Sequence, residues 1–235
     1  MSFAPPRLIE LVQSVDPDGP PDVRWIVPPP AAAARGRLGI LPGSFNPPTE
    51  AHVALARAGR EAGLSSVIYV LSKRTVDKER VTGIPLADRL ELLGHIAEAA
   101  GDAVAFVNRG LYVDQAAALR AVLPDARALV FLVGYDKIVQ IFDPRYYDDR
   151  DAALRRLFAL ASFLVAPRGD ADADELAALM RRPENAPFAA SVRPLPLSEV
   201  YRDQSSTRVR AGESDDVPLV VARYLDAYRP YGRSG

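Results

Sequence analysis

With 235 residues, 49% of them hydrophobic, the chain is long enough to bury the core of one α/β domain, and its lack of cysteine excludes disulfides, a thiolate nucleophile and zinc–thiolate sites. Its net charge of −1 does not favour a nucleic acid polymer as a partner. It has no apolar run of membrane-spanning length and no N-terminal secretion pattern, so we predict a cytoplasmic protein that does not bind membranes.

The first 36 residues differ in composition from the rest. Eight prolines lie within residues 1–30, and four alanines follow them. Residues 8–12 favour one short helix, and residues 25–27 favour an extended piece that docks on the domain. We therefore predict a proline-rich N-terminal arm over residues 1–36 and one domain over residues 37–235. The sequence assigns the arm no function.

From residue 37 onward, apolar runs alternate with amphipathic ones. The apolar runs predict strands over residues 38–41, 67–71, 104–107, 128–133, 163–166 and 192–197. The amphipathic runs predict a helix that begins near residue 49 and others over residues 84–101, 112–123, 137–142, 152–161, 172–182 and 217–228. This alternation predicts an α/β fold with a Rossmann-like, doubly wound and mostly parallel sheet.

The strongest local signal is the run LGILPGSFNPPTEAH over residues 38–52. It predicts a strand, a turn of small residues and a helix whose first backbone N–H groups point at one spot. The helix dipole favours negative charge at that spot, so the run predicts a phosphate site. The residues that would form it, with the histidine one turn into the helix, are Gly43, Ser44, Phe45, Thr49 and His52.

A second motif, QSSTRVR, occupies residues 204–210. The hydroxyl residues Ser205, Ser206 and Thr207 favour a helix N-terminus over a helix interior. Arg210 follows Thr207 by about one helical turn, so its guanidinium can fold back over the same anion. A serine-capped helix with solvated arginines is the alternative for this motif taken alone.

A third segment follows the strand over residues 128–133. Gly134 and Asp136 come at its carboxyl end, where ligands bind in parallel sheets, and the aspartate can accept hydrogen bonds from a ribose. Pro144 and Tyr147 come after the next helix. Taken alone, Tyr147 favours a packed loop anchor, and the family resemblance described below implies instead that it stacks on a substrate ring.

Basic residues follow the strand over residues 67–71. Arg74 and Lys78 are candidates to bind a substrate phosphate, with Lys73 a weaker one, and a solvated charged loop is the alternative. Arg89 and Arg168 come near the same edge, where each either reaches the cleft or stays on the surface. His95 lies opposite the apolar stripe of its helix, which favours an exposed side chain.

Together, Gly-Ser-Phe-Asn-Pro-x-Thr-x-x-His, Ser-Ser-Thr-x-x-Arg and Gly-x-Asp resemble the signatures of the nicotinamide/nicotinate mononucleotide adenylyltransferases. That family belongs to a nucleotidyltransferase superfamily with a His/Thr-x-Gly-His signature, which here reads Thr49-Glu50-Ala51-His52. The chain departs from the family pattern at Ala51, where many members have glycine, at Gln204 for isoleucine and at Tyr147 for tryptophan. The resemblance implies that residues 37–235 are a nucleotidyltransferase domain.

The resemblance implies transfer of the adenylyl group of ATP to nicotinamide or nicotinate mononucleotide, with Mg²⁺ held mainly by the ATP phosphates. ATP and a pyridine mononucleotide would be the partners, and a homo-oligomer is compatible with the sequence. The implied roles are catalysis by Thr49, His52 and Arg210; ATP phosphate binding by Gly43, Ser44, Phe45, Ser205, Ser206 and Thr207; ribose binding by Gly134 and Asp136; and mononucleotide binding by Arg74, Lys78 and Tyr147.

Two other functions stay open at this point. One is adenylyl or cytidylyl transfer to another phosphate acceptor, such as phosphopantetheine or a small alcohol phosphate. The other is a module that binds or hydrolyses ATP without transferase activity. The joint presence of Thr49, His52 and Arg210 argues against the second.

Overall fold

The computed structural model describes residues 3–74, 83–167 and 173–232. Within these ranges the strands are β1 (Val23–Val27), β2 (Arg37–Pro42), β3 (Ser66–Ser72), β4 (Ala103–Val107), β5 (Ala128–Gly134), β6 (Ala161–Ala166) and β7 (Val192–Pro194). The helices are α1 (Pro6–Ser14), α2 (Glu50–Glu61), α3 (Leu86–Ala100), α4 (Tyr112–Val122), α5 (Tyr135–Phe142), α6 (Arg150–Leu160), α7 (Ala173–Arg181), α8 (Ser206–Ala211) and α9 (Leu219–Tyr228).

The strands form one sheet in the order β1-β4-β3-β2-β5-β6-β7. Every neighbouring pair is parallel except β1 and β4. The chain moves outward in one direction from β2 through β3 to β4, and in the other direction from β5 through β6 to β7. The order therefore reverses between β2 and β5, which is where a ligand crevice opens beyond the carboxyl ends of the strands.

Alternate residues of each strand are buried on opposite faces of the sheet, because side chains alternate along a strand. In β5, Phe131 packs on one face among residues of α4, α5, α6 and α7. Leu132 packs on the other face among residues of α1, α2, α3 and α9. The predicted doubly wound, mostly parallel α/β fold is therefore confirmed.

The predicted strands and helices are present with small differences at their ends. The last predicted strand stops at Pro194 instead of residue 197, because Pro194 and Pro196 lack the N–H that a continuing ladder needs. Ala161 begins β6, where it pairs with Leu129, rather than ending the preceding helix. Among the described residues, none of the helices is long and apolar enough to span a membrane.

The N-terminal residues contact the sheet and its helices. The extended piece predicted over residues 25–27 is part of β1, which pairs antiparallel with β4 at the edge of the sheet. The predicted short helix is α1, whose Leu8 is buried in the core beside α3. The main-chain N–H of Ala4 donates to the buried Asp88 carboxylate at 2.9 Å. Residues 3–36 are thus joined to the rest of the chain by hydrogen bonds and by apolar packing.

Candidate active site

The loop between β2 and α2 makes a tight turn around one aromatic ring. Phe45 is fully buried and has a φ of +46°, in the left-handed region that side chains rarely adopt. A Cβ at Gly43 would lie 2.8 Å from the Phe45 ring, so this turn requires glycine. Such strained backbone is typical of functional sites, where the surroundings hold it in place. We refer to residues 43–49 as the phosphate loop.

Thr49 and His52 form a capping box at the start of α2. The Thr49 main-chain N–H donates to His52 Nδ1 at 3.0 Å, and the threonine hydroxyl lies 2.7 Å from the same nitrogen. A main-chain N–H can only donate, so Nδ1 accepts and the neutral imidazole carries its proton on Nε2. The imidazole also packs against the Phe45 ring, with centroids 4.9 Å apart. Thr49 thus fixes which ring nitrogen of His52 is a donor.

Asn46 joins the phosphate loop to two distant parts of the chain. Its side chain is buried, and its Oδ1 accepts from the Ile84 main-chain N–H and from the Tyr231 hydroxyl, each at 3.1 Å. Burial raises the pKa of Tyr231, which keeps that hydroxyl protonated as a donor. The main-chain oxygen of Asn46 accepts from Arg210 Nη1 at 2.8 Å. No sequence pattern predicts a role for Tyr231 or for Asn46, although Asn46 lies inside the first motif.

Helix α8 lies against the phosphate loop. The Ser206 hydroxyl donates to the main-chain oxygen of Pro47 at 2.7 Å. Arg210 Nη2 donates to the Thr207 hydroxyl at 3.0 Å, so the guanidinium folds back by one turn as the spacing predicts. Ser205 caps the helix and accepts from the Arg208 N–H at 3.3 Å. The two motifs, separated by about 150 residues in sequence, are therefore adjacent in space.

Arg89 places a buried positive charge under the phosphate loop. Only 3% of the residue is exposed, and its guanidinium donates to the main-chain oxygens of Ile84 at 2.6 Å and Ser44 at 3.1 Å. Burial is the main cause that lowers its pKa to about 10; Tyr231 acts in the opposite direction, Arg210 lowers the pKa further, and the guanidinium remains charged at neutral pH. No acidic side chain among the described residues forms an ion pair with it. The sequence left open whether Arg89 reaches the cleft, and the structure shows that it contacts the loop backbone.

Gly134 and Asp136 lie across the point where the strand order reverses. Gly134 ends β5, the strand beside β2, and also caps α5. Asp136 is exposed in the first turn of α5. Both residues are thus at the carboxyl edge of the sheet, as predicted, next to the strand that carries the phosphate loop. Ribose binding by Asp136 stays a prediction.

Tyr147 is tied into the protein through its hydroxyl. The hydroxyl donates to the main-chain oxygen of Ile141 at 2.8 Å, and the ring packs against the core beneath α5 and α6. Burial raises the pKa of Tyr147 to about 12. The ring also lines a cavity of about 840 Å³, together with Pro144 and Arg150. These contacts match the loop anchor that the sequence analysis left open, and stacking on a substrate stays a prediction.

The described basic residues after β3 are engaged by the N-terminal segment. Arg74 forms an exposed ion pair with Asp18 at 2.7 Å. The Lys73 ammonium donates to main-chain oxygens at the end of α1, at 2.8 Å from Val12 and 2.5 Å from Val15. Lys78 and Arg168, the other candidates in this part of the site, lie outside the described residues. His95 is half-exposed beside Glu91, as predicted.

Comparison with known proteins gives a consistent result. A model of the cytidylyltransferase-like family matches residues 40–212. A probable nicotinate-nucleotide adenylyltransferase from Gloeobacter violaceus is 32% identical over 203 residues, which cover 80% of this chain and 93% of that protein. One from Laribacter hongkongensis is 31% identical over 193 residues, covering 75% of this chain and 83% of that protein.

A solved structure shares the fold. The Plasmodium falciparum nicotinic acid mononucleotide adenylyltransferase complexed with NaAD superposes with a TM-score of 0.60 at 18% identity, covering 83% of this chain and 97% of that chain. At this identity the likeness shows the fold alone. The family match and the curated relatives agree with the resemblance of the motifs. The chain belongs to the cytidylyltransferase-like nucleotidyltransferases, in the nicotinamide/nicotinate mononucleotide adenylyltransferase family.

Proposed function

We propose that the protein transfers the adenylyl group of ATP to a pyridine mononucleotide, forming the dinucleotide and pyrophosphate. The observation that carries this proposal is the junction of the two motifs, in which Arg210 and Ser206 bond to the backbone of the phosphate loop at Asn46 and Pro47. That junction gathers imidazole, hydroxyl and guanidinium donors around one helix N-terminus. Such donors suit an anion whose charge grows during the reaction.

The reaction in this site is an in-line displacement. An oxygen of the mononucleotide phosphate attacks the α-phosphorus of ATP, a new P–O bond forms, and the bond to the β-phosphate oxygen breaks with release of pyrophosphate. The attacking phosphate is ionised near pH 7, so no strong general base is required. Catalysis then rests on positioning and on stabilisation of charge, without a covalent enzyme intermediate.

Each donor of the site has a defined part in that reaction. His52 offers its Nε2 proton to a phosphate oxygen, because Nδ1 accepts from Thr49. Arg210 balances the charge that develops on the transferred phosphate, and Arg89 adds a positive charge from below the loop. Ser205, Ser206 and Thr207 lie at the start of α8, where they would hold the β- and γ-phosphates.

Mg²⁺ fits this donor set only as a companion of ATP. In residues 3–74, 83–167 and 173–232, His, Asp and Glu form no group of three or more that could hold a metal ion. The side chains of residues 43–49 are neutral and those of the neighbouring Arg89 and Arg210 are cationic, whereas Mg²⁺ prefers carboxylate, phosphate and water oxygens. The ATP phosphates and water would therefore supply its ligands, and the ion would neutralise charge on the phosphates.

Nicotinate mononucleotide is the proposed acceptor. The relatives from Gloeobacter and Laribacter are named as probable nicotinate-nucleotide adenylyltransferases. A Schizosaccharomyces pombe protein named as a putative nicotinamide mononucleotide adenylyltransferase is 27% identical and covers only 55% of this chain. The bacterial relatives match more of the chain and at higher identity, which favours the acid over the amide.

The test is a turnover assay with a panel of acceptors. The protein is incubated with ATP, Mg²⁺ and nicotinate mononucleotide, nicotinamide mononucleotide or phosphopantetheine, and both pyrophosphate and the nucleotide product are identified by mass. We expect the deamido dinucleotide to form fastest. Release of ADP and phosphate without a dinucleotide would instead indicate an ATP hydrolase. A faster reaction with phosphopantetheine would replace the proposed acceptor.

A further inference from the structure

A segment before the family match covers the carboxyl ends of β3 and β4. We define residues 12–22 as the N-terminal strap. Its main chain is held by Asn108, a residue only 1% exposed that directly follows β4. Asn108 Nδ2 lies within 3.3 Å of three strap carbonyl oxygens, and its Oδ1 accepts from one strap N–H at 2.9 Å; these groups belong to Asp16, Gly19, Pro20 and Asp22. A buried amide that bonds in this way fixes the path of the strap.

Lys73, which directly follows β3, holds the other end of the strap. Its ammonium lies 2.8 Å from the Val12 oxygen, 2.5 Å from that of Val15 and 3.4 Å from that of Gln13. These are the last carbonyls of α1, where a helix dipole favours a cation. An ammonium has three donors, so all of them are used. Lys73 is therefore not available to bind a substrate phosphate directly.

The strap also links the two loops that leave these strands. Arg109 Nη2 donates to the main-chain oxygens of Asp18 at 2.9 Å and Gly19 at 2.6 Å. The Ser72 hydroxyl lies 2.6 Å from the Arg74 oxygen and 2.7 Å from the Arg109 oxygen. The start of the loop after β3 and the start of the loop after β4 are thus fixed to each other and to the strap.

This location is next to the active site. β3 pairs with β2, the strand that carries the phosphate loop, and β4 pairs with β3. Neighbouring strands are about 4.8 Å apart, so the strap meets the carboxyl edge within about 10 Å of the end of β2. The α8 flank of the loop holds the ATP phosphates in the proposed reaction. Helix α8 contacts the loop at Asn46 and Pro47.

We propose that the N-terminal strap positions the acceptor side of the active site, with Lys73 and Asn108 as its positioning residues. The inference rests on the proposed function, which puts the ATP phosphates on the α8 flank, and on the assignment of Arg74 to the mononucleotide, because Arg74 lies at the start of the loop after β3 and contacts Asp18 of the strap. Neither positioning residue touches the substrate. Lys73 and Asn108 each fix the backbone where a loop begins, after β3 and after β4. The loss of either side chain therefore weakens binding of the mononucleotide and leaves binding of ATP unchanged.

The test compares Lys73→Met with Arg120→Met in the full chain. Arg120 is also a cation that donates to main-chain oxygens, those of Ala126 and Leu160, but at the amino ends of β5 and β6. We expect Lys73→Met to raise the KM for the mononucleotide about tenfold and the KM for ATP less than about twofold, as for a small misplacement. Arg120→Met should change neither KM. Equal changes in both KM values, or none, in Lys73→Met overturn the proposal.

A second pair of variants uses the two ends of β4. Asn108→Ala removes the buried amide at the carboxyl end, and Asp102→Ala removes a buried carboxylate that accepts from the Val67 N–H at the amino end. Both should lower the melting temperature. Only Asn108→Ala should raise the KM for the mononucleotide, and the same rise in Asp102→Ala would mean that the effect comes from lost stability.

Hydrogen exchange tests the strap without the reaction. The Lys73 amide donates to the Val107 oxygen at 2.8 Å and reports the carboxyl edge. We expect this amide to exchange faster in Asn108→Ala and at the wild-type rate in Asp102→Ala and Arg120→Met. Unchanged exchange in Asn108→Ala overturns the positioning role even if the KM for the mononucleotide rises. The two proposals can fail separately. If Asn108→Ala exchanges faster but the wild-type protein makes no dinucleotide, the strap still fixes the edge, and it is the proposed function, together with the acceptor assignment, that is wrong.

Discussion

The loops after β2 and β3 begin side by side in the sheet, yet the chain uses their polar residues differently. After β2, the motif residues Thr49 and His52 bond to each other, and Arg210 reaches the same loop from the far end of the sequence. After β3, Lys73 and Arg74 are also basic and also follow the end of a strand, but they bond to the N-terminal segment. Position at the ligand edge is therefore not sufficient to identify a phosphate-binding cation.

The two basic residues after β3 differ in how strongly their contacts hold them. The ion pair between Arg74 and Asp18 is exposed on both sides, so it stabilises the fold by less than about 1 kcal/mol and is screened by salt. A phosphate can compete for Arg74 at that energy. Lys73 instead has three carbonyl acceptors and a helix end around it, which makes it part of the framework.

The largest expected effect is the loss of kcat in His52→Ala, which changes a residue that follows the loop after β2. In the proposed function His52 donates to the reacting phosphates, so its removal should lower kcat by roughly 10²–10⁴-fold, the range for one catalytic donor. The protein should still fold, with a melting temperature lowered by the loss of the hydrogen bond from the Thr49 N–H, because the imidazole is only partly buried. His95→Ala is the matched control, since the chain has two histidines and His95 lies on α3 beside Glu91. Similar kcat values for the two variants would refute a catalytic His52.

Arg210→Ala should have the next largest effect. Loss of a charge-assisted contact of about 1.5–3 kcal/mol corresponds to a fall in kcat/KM for ATP of roughly 10- to 100-fold. Arg208→Ala is the control on the same helix, because its partner among the described residues is the exposed Glu213 at 3.6 Å. Equal, small losses in both variants would show that α8 only supports the loop.

Much of the fold could be predicted from the sequence, because the spacing of apolar residues shows which faces of a helix or strand are buried. The continuous apolar run of β5 and the stripe of α3 depend only on which faces are covered, and both were predicted close to their observed ends. Two of the ends that differ depend on a neighbouring strand: Ala161 pairs with Leu129 at the start of β6, and prolines end the ladder of β7. A missing N–H affects pairing with a neighbouring strand, and the identity of that neighbour is not contained in the local sequence.

A contact within the site could be predicted from the sequence only where both contacting residues belong to recognisable motifs. Arg210 and the phosphate loop each belong to a signature, so their resemblance to one family predicts that they meet. The partners of Lys73 are carbonyl groups of α1, and every residue type has a carbonyl, so no sequence pattern could reveal them. The same holds for Arg89, whose observed partners are the carbonyls of Ile84 and Ser44.

Arg89→Met tests whether the buried charge of Arg89 contributes to the binding of ATP at the phosphate loop. A unit charge that acts over about 10 Å at an effective dielectric constant near 20 is worth about 1.7 kcal/mol, so the KM for ATP should rise roughly tenfold. Arg89→Lys keeps the charge, because a lysine remains protonated at neutral pH, and should recover most of the affinity. Steady-state kinetics with ATP varied will measure both. If Arg89→Met and Arg89→Lys raise the KM for ATP equally, the effect comes from the lost hydrogen bonds and not from the lost charge.

The smallest effect concerns Tyr147, where the structure favours an anchor. Tyr147→Phe keeps the ring and removes the hydroxyl that donates to Ile141, which should lower the free energy of unfolding by about 1 kcal/mol. Tyr147→Ala then tests the ring itself. A rise of about tenfold in the KM for the mononucleotide alone would support stacking, whereas equal losses for both substrates together with a lower melting temperature would support the anchor.

The pH dependence of the Tyr147→Phe effect isolates the hydroxyl. Burial raises the pKa of Tyr147 to about 12 in the folded protein, while an unfolded tyrosine has a pKa of about 10. The folded state therefore holds this proton more tightly, and the stability that the hydroxyl contributes is complete below pH 10 and is lost as the pH rises towards 12. The difference in unfolding free energy between wild type and Tyr147→Phe should thus be constant from pH 7 to 9 and shrink at pH 11. Other buried tyrosines are common to both proteins and cancel. A difference that stays constant up to pH 11 would mean that the hydroxyl is as accessible to solvent in the folded state as in the unfolded one.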